Sequence, residues 1–99
     1  MIAIKTLTAA QYGVLNKIAR RTKMDCWFCI QQDADGQDYV FDLELNTTLP
    51  LDEGIQGLME GLDCPENIES CDLNWIEKTV LCDLCKMLDV SISNILEVK

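Results

Sequence analysis

The sequence predicts an α+β fold: an N-terminal helix, an antiparallel β-hairpin, then two to three helices packed on one face of the sheet. Three observations point there. An apolar pattern of helical period opens with a start signal at Thr8. Two alternating segments, 24–31 and 38–45, flank the turn-rich run "DADGQ". Helical stripes then return over 50–62 and 73–88. The chain has 99 residues, 48% of them hydrophobic, which suits one domain, 1–99, with a single small core.

The elements follow in order. "IAI", 2–4, offers a short strand that could add a third to the hairpin. Thr8 with Gln11 three residues later makes a capping box, and Leu7 and Tyr12 stand at the flanking staple positions. Leu15, Ile18 and Ala19 continue the face of Tyr12. Lys17, Arg20, Arg21 and Lys23 crowd the end of this helix, where cations complement its dipole.

In the hairpin, Met24, Cys26, Phe28 and Ile30 fall on one face, with Tyr39, Phe41, Leu43 and Leu45 as the matching apolar set. The opposite face collects Asp25, Trp27, Cys29 and Gln31 with Asp38, Val40, Asp42 and Glu44. Asp33, Asp35 and Gly36 look like half of a calcium loop, but the alternation on both sides makes the run a hairpin turn.

Over 50–62, Ile55, Leu58, Met59 and Leu62 form a buried helical stripe. Gly54, Gly57 and Gly61 weaken this helix but share one side, where another element could approach closely; Gly61 also suits a C-cap. An acidic loop, 63–71, leads to the next helix, striped by Leu73, Ile76, Val80, Leu81, Leu84 and Leu88. Asn74 and Glu77 make its capping signature, Asp89 and Val90 end it, and Ser91 can cap a last short helix.

The net charge is −9, and its distribution says more than its total. Residues 1–23 hold five basic residues and no acid; residues 24–77 hold fourteen acids and no Lys or Arg; residues 78–99 balance three against three. Such an acidic block repels nucleic acid, which weighs against direct nucleic-acid binding, and attracts a basic protein partner. No stretch approaches the roughly 18 apolar residues of a membrane span. Polar residues interrupt the N-terminus, so it is not a signal peptide, and the expected location is the cytoplasm, where thiols stay reduced.

Histidine is absent, which removes the commonest general base and zinc partner. In a strand, Cys26 and Cys29 point to opposite faces and cannot share a metal. Cys82 and Cys85 lie three apart on a helix and could be joined by Cys64 and Cys71, which leaves a small zinc-binding structural module as an alternative. Neither Cys-x-x-Cys pair opens a helix, as thioredoxin-type chemistry requires. The cysteines read as packing, with Cys26 in the core and Cys85 at a stripe edge, except Cys29, which the pattern puts on the polar face. No cofactor is expected, and no catalytic constellation is evident.

Trp27 on the acidic hairpin face, and Trp75 off the main stripe of its helix, are left exposed by these patterns, as interface anchors are. The expected partner-binding residues are Asp25, Trp27, Asp38, Asp42, Glu44 and Trp75. The expected function is a non-enzymatic acidic interaction module that presents carboxylates to a basic, nucleic-acid-handling protein, as a candidate inhibitor. A homodimer is compatible with this.

The tail "LCKMLDVSISNILEV", 84–98, resembles the end of a Cro/C1-type helix-turn-helix domain. There a "LxxxLxVSxxxLL"-like stretch forms the last two packing helices. That resemblance implies a second alternative, an accessory transcription factor using the basic end of the first helix; it does not include a recognition helix. The segment "IARRTKMDCWF" followed by "YVFDLE" is similar to short proteins of unknown function carried on mobile elements of gut Firmicutes. It implies a genetic context, into which anti-restriction and anti-CRISPR proteins would fit.

Overall fold

A computed structural model describes residues 6–21, 24–62 and 73–91. Helix α1, Ala9–Arg21, starts as its sequence signals. The Gln11 N–H donates to Thr8 Oγ1 (3.1 Å) and the Thr8 N–H to Gln11 Oε1 (3.0 Å), so the capping box is closed. Val14, Leu15, Ile18 and Ala19 are buried, whereas Tyr12 is 46% exposed. At about 100° per residue the stripe centres between Leu15 and Ile18, about a quarter-turn from Tyr12.

The first half of the expected strand is not a strand. Met24–Cys26 forms a 3-10 turn, closed by the Trp27 N–H on the Met24 carbonyl (3.1 Å). Strand β1 is Phe28–Gln32 and strand β2 is Asp38–Asp42. Between them Asp33 Oδ1 accepts the N–H of Asp35 (2.9 Å) and of Gln37 (3.0 Å), and Gly36 takes φ +82°. That oxygen holds the turn itself, as the hairpin reading of "DADGQ" requires.

The register corrects the expected faces. Phe28 pairs with Asp42, Ile30 with Val40 and Gln32 with Asp38. Directly paired residues share a face, so Phe28 and Ile30 lie with Val40, and Tyr39 and Phe41 turn outward with Gln31 and Cys29. Val40 is fully buried, while Leu43 and Leu45 are exposed. Cys26, expected in the core, is exposed because its segment has left the strand.

The third strand, β3, is Thr47–Pro50, paired antiparallel with β2 so that Leu49 faces Val40. The sheet order is β1-β2-β3. The expected strand at 2–4 lies outside the described residues. Pro50 passes directly into helix α2, Leu51–Leu62, which buries Leu51, Ile55, Leu58, Met59 and Leu62.

Three glycines set how closely α2 meets its neighbours. A Cβ at Gly54 would collide with Val40, one at Gly61 would collide with Met24, and one at Gly57 would touch the Trp27 ring at 3.4 Å. The glycine side of α2 is therefore a notch filled by three side chains.

Helix α3, Trp75–Met87, opens with a full capping box between Asn74 and Glu77. It ends where Asp89 adopts φ +56° and the Val90 N–H reaches the Cys85 carbonyl (2.8 Å). Leu81, Leu84, Cys85 and Leu88 are buried, but Ile76, expected in the stripe, is 67% exposed. The expected helix starting at Ser91 falls beyond the described residues. The helices pack α1 against α3 and α2 against β2 and β3, with the core between them and the inner sheet face.

Candidate interaction surface

The expected site residues separate into three groups. Asp38 and Asp42 are buried, each 9% exposed, and act within the fold. Asp38 Oδ2 accepts the Leu7 N–H at 2.6 Å, tying the approach to α1 onto the sheet. Asp42 Oδ1 accepts the N–H groups of Glu44 and Leu45, both at 3.0 Å. A buried carboxylate is tolerated when backbone donors satisfy it, and both are satisfied in this way. Their expected place on an exposed carboxylate face is corrected.

Trp27 and Trp75 differ from one another. Trp27 is half-buried, lies over Gly57 and meets Phe28 edge-on at 5.4 Å between ring centroids. Trp75, at the first position of α3, is 64% exposed beside the exposed Ile76.

Asp25 and Glu44 remain in solvent, and the backbone brings their segments together. The Leu43 N–H donates to the Trp27 carbonyl at 3.0 Å, and the Cys26 thiol approaches Glu44 Oε1 at 3.4 Å. Around them, Leu43 is 50% and Leu45 74% exposed. Asn46 closes the turn at φ +54°, a left-handed conformation that Asn tolerates better than most residues. The result is a hydrogen-bonded turn, 43–46, that exposes two leucines on either side of Glu44. The sequence reading missed Leu43 and Leu45 by counting them as core. The readable signal was "DLELN": an Asp able to cap a turn, and an Asn able to end it.

The charge around this turn is of one sign. Residues 24–62 carry nine carboxylates and no Lys or Arg. Among the described residues, none of these nine makes a salt bridge; the ion pair present joins Lys17 to Glu77 at 2.8 Å, between α1 and α3.

The four described cysteines differ in burial. Cys82 and Cys85 are buried on α3; burial first, and the neighbouring Cys82 second, push the Cys85 thiol up to about 11. It is a protonated packing group at neutral pH. Partial desolvation, then the adjacent Glu44 carboxylate, hold the Cys26 thiol above its ordinary range although its side chain is exposed. Cys64 and Cys71 lie outside the described residues. Among the described residues no three Cys, Asp or Glu side chains converge as a metal site. Nor is any helix among them long and apolar enough to cross a membrane.

Fold and surface together define a small α+β domain with an acidic, leucine-bearing turn. No protein-family model, curated protein or solved structure matches the chain.

Proposed function

We propose that the protein is a non-enzymatic interaction module that docks a basic protein through the turn at 43–46. Asp25 and Glu44 supply the charge; Leu43 and Leu45 supply apolar contact. The observation that carries this reading is the exposure of both leucines on a turn already ordered by Asp42, within a stretch that contains no cation. An apolar centre rimmed by charge is how protein interfaces are built. A turn already hydrogen-bonded by Asp42 before binding also loses less entropy on docking. The partner class is a basic surface, and a nucleic-acid-handling protein fits because carboxylates can occupy sites meant for phosphates. Inhibition of such a protein, in the manner of anti-restriction or anti-CRISPR proteins, and a cytoplasmic site of action belong to the same proposal.

The test is native mass spectrometry of the tagged protein isolated from its own cells at low salt. Association kinetics with the captured partner follow. Replacing Asp25 and Glu44 together by Lys should slow association and flatten its salt dependence, and Leu45→Ser should speed dissociation. Unchanged kinetics in both variants would remove the turn from the interface. A captured partner with an acidic surface would overturn the proposed chemistry.

A further inference from the structure

One face of the sheet turns away from α2. Helix α2 meets β2 on the side of Val40. On the opposite face Tyr39 pairs with Gln31 and Pro50, and Phe41 with Cys29 and Thr48. At the hairpin end of β2 lies an open hollow of about 460 Å³, lined by Asp33, Gln37, Tyr39, Thr48, Leu49 and Pro50.

The hollow offers one kind of charge. Asp33 brings a carboxylate, and no lining residue is cationic. Gln37 and Thr48 add neutral acceptors, while the Tyr39 ring and Pro50 add apolar surface. Two of these groups are held before anything binds. Asp33 Oδ1 accepts the N–H of Asp35 and of Gln37, and Oδ2 has no hydrogen-bond partner among the described residues. The Tyr39 hydroxyl donates to Gln31 Oε1 at 2.9 Å, which leaves its own oxygen free to accept.

We infer that this hollow takes an arginine side chain; that the arginine belongs to the basic protein partner rests on the function proposed above. An anion would meet Asp33 with no cation to offset it. A purely apolar side chain would desolvate the carboxylate without pairing it. A cation on an apolar stem satisfies both parts of the lining. Of the two such side chains, a planar guanidinium can lie on the Tyr39 ring and donate to Asp33 from its edge. An ammonium is a compact, strongly hydrated charge, and an open hollow does not strip its water. Arginine is also a residue of choice for holding phosphates, so the hollow would engage the groups that a nucleic-acid-handling surface uses.

The hollow and the 43–46 turn share one side of the sheet. Tyr39, Phe41 and Leu43 alternate along β2 and its continuation, where the Leu43 N–H still bonds the Trp27 carbonyl. The four residues from Tyr39 to Leu43 span about 13 Å. One partner surface can set an arginine in the hollow and reach Leu43 at once.

The test is an amide NMR titration of the whole chain with N-acetyl-arginine amide, and with N-acetyl-lysine amide for comparison. Arginine should give saturable shifts at the Gln37, Tyr39 and Leu49 amides and bind at least about threefold more tightly than lysine. Asp33→Asn keeps an oxygen for the turn but removes the charge, and Tyr39→Leu removes the ring; each should weaken binding at least about threefold. Glu60→Gln removes an exposed charge near the far end of α2 and should leave binding unchanged. Absence of saturable shifts at these amides overturns the inference. So does equal binding of the lysine amide, or an Asp33→Asn effect no larger than that of Glu60→Gln. The titration needs no partner, so the hollow can fail while the kinetics of the 43–46 variants hold, and can stand while they fail.

Discussion

Val40 and Gly54 are in direct contact across the β2–α2 interface, so close that position 54 has no room for a Cβ. The consequence separates two helical glycines by experiment. Gly54→Ala gains up to about 1 kcal/mol of helix propensity but overpacks against the branched Val40 side chain, a change that costs about 1–3 kcal/mol. A net loss of stability is expected. Gly13→Ala, with open space around it, should gain about 0.5–1 kcal/mol. Urea denaturation of both variants at low protein concentration checks the opposite signs.

Asp42 orders the turn that carries the exposed leucines. Asp42→Ala leaves the Glu44 and Leu45 N–H groups without their acceptor and should cost about 1–3 kcal/mol. Asp25→Lys and Glu44→Lys, both at exposed positions, should change stability by no more than about 0.5 kcal/mol. Chemical denaturation of the three single variants separates the carboxylate that builds the turn from those available to a partner. Equal losses in all three would contradict the assignment.

Glu77 serves two elements at once. Its Oε1 accepts the Asn74 N–H at 3.1 Å within the capping box and meets Lys17 Nζ at 2.8 Å across to α1. Asn74→Ala should cost about 1 kcal/mol through the lost cap. A double-mutant cycle of Lys17→Met with Glu77→Gln should yield a coupling of about 0.2–1 kcal/mol that shrinks as salt is added, because both side chains are partly solvated.

The Cys85 thiol carries a pH signature. Its folded value is raised from 9.0 to about 11, so between these values the unfolded chain has lost the proton that the folded chain keeps. The stabilisation is full below pH 9 and falls as pH rises toward 11. Stability measured through that interval should decline more steeply in the wild type than in Cys85→Ala, even though the variant is less stable at pH 7. Parallel slopes would show that the thiol does not contribute.

Local chemistry was largely legible. Thr8 with Gln11 and Asn74 with Glu77 cap the helices they were expected to cap. Asp33 and Gly36 make the expected hairpin turn. The glycines of α2 mark a close approach, as their common side suggested. Each of these rests on residues within a few positions of one another, so neighbouring residue types suffice to specify the geometry.

The hairpin faces were not legible, and they decide the site. Alternation has a period of two, so a one-residue slip exchanges every inward side chain for an outward one. Both faces of β2 hold apolar groups: Tyr39 and Phe41 on one, Val40 on the other. Counting apolar residues favoured the face with Tyr39, Phe41, Leu43 and Leu45. The folded chain instead seats Val40 in the notch at Gly54 and meets the buried carboxylates with the N–H groups of Leu7, Glu44 and Leu45.

By itself the sequence determined the three described helices, the N-terminal caps of the first and last of them, the hairpin turn and the separation of charge along the chain, since these depend on local spacing. Only the tertiary structure decided which carboxylates are structural, which leucines reach solvent and which face of β2 turns inward. Those outcomes depend on a glycine notch and backbone donors brought from distant positions, which no local pattern contains.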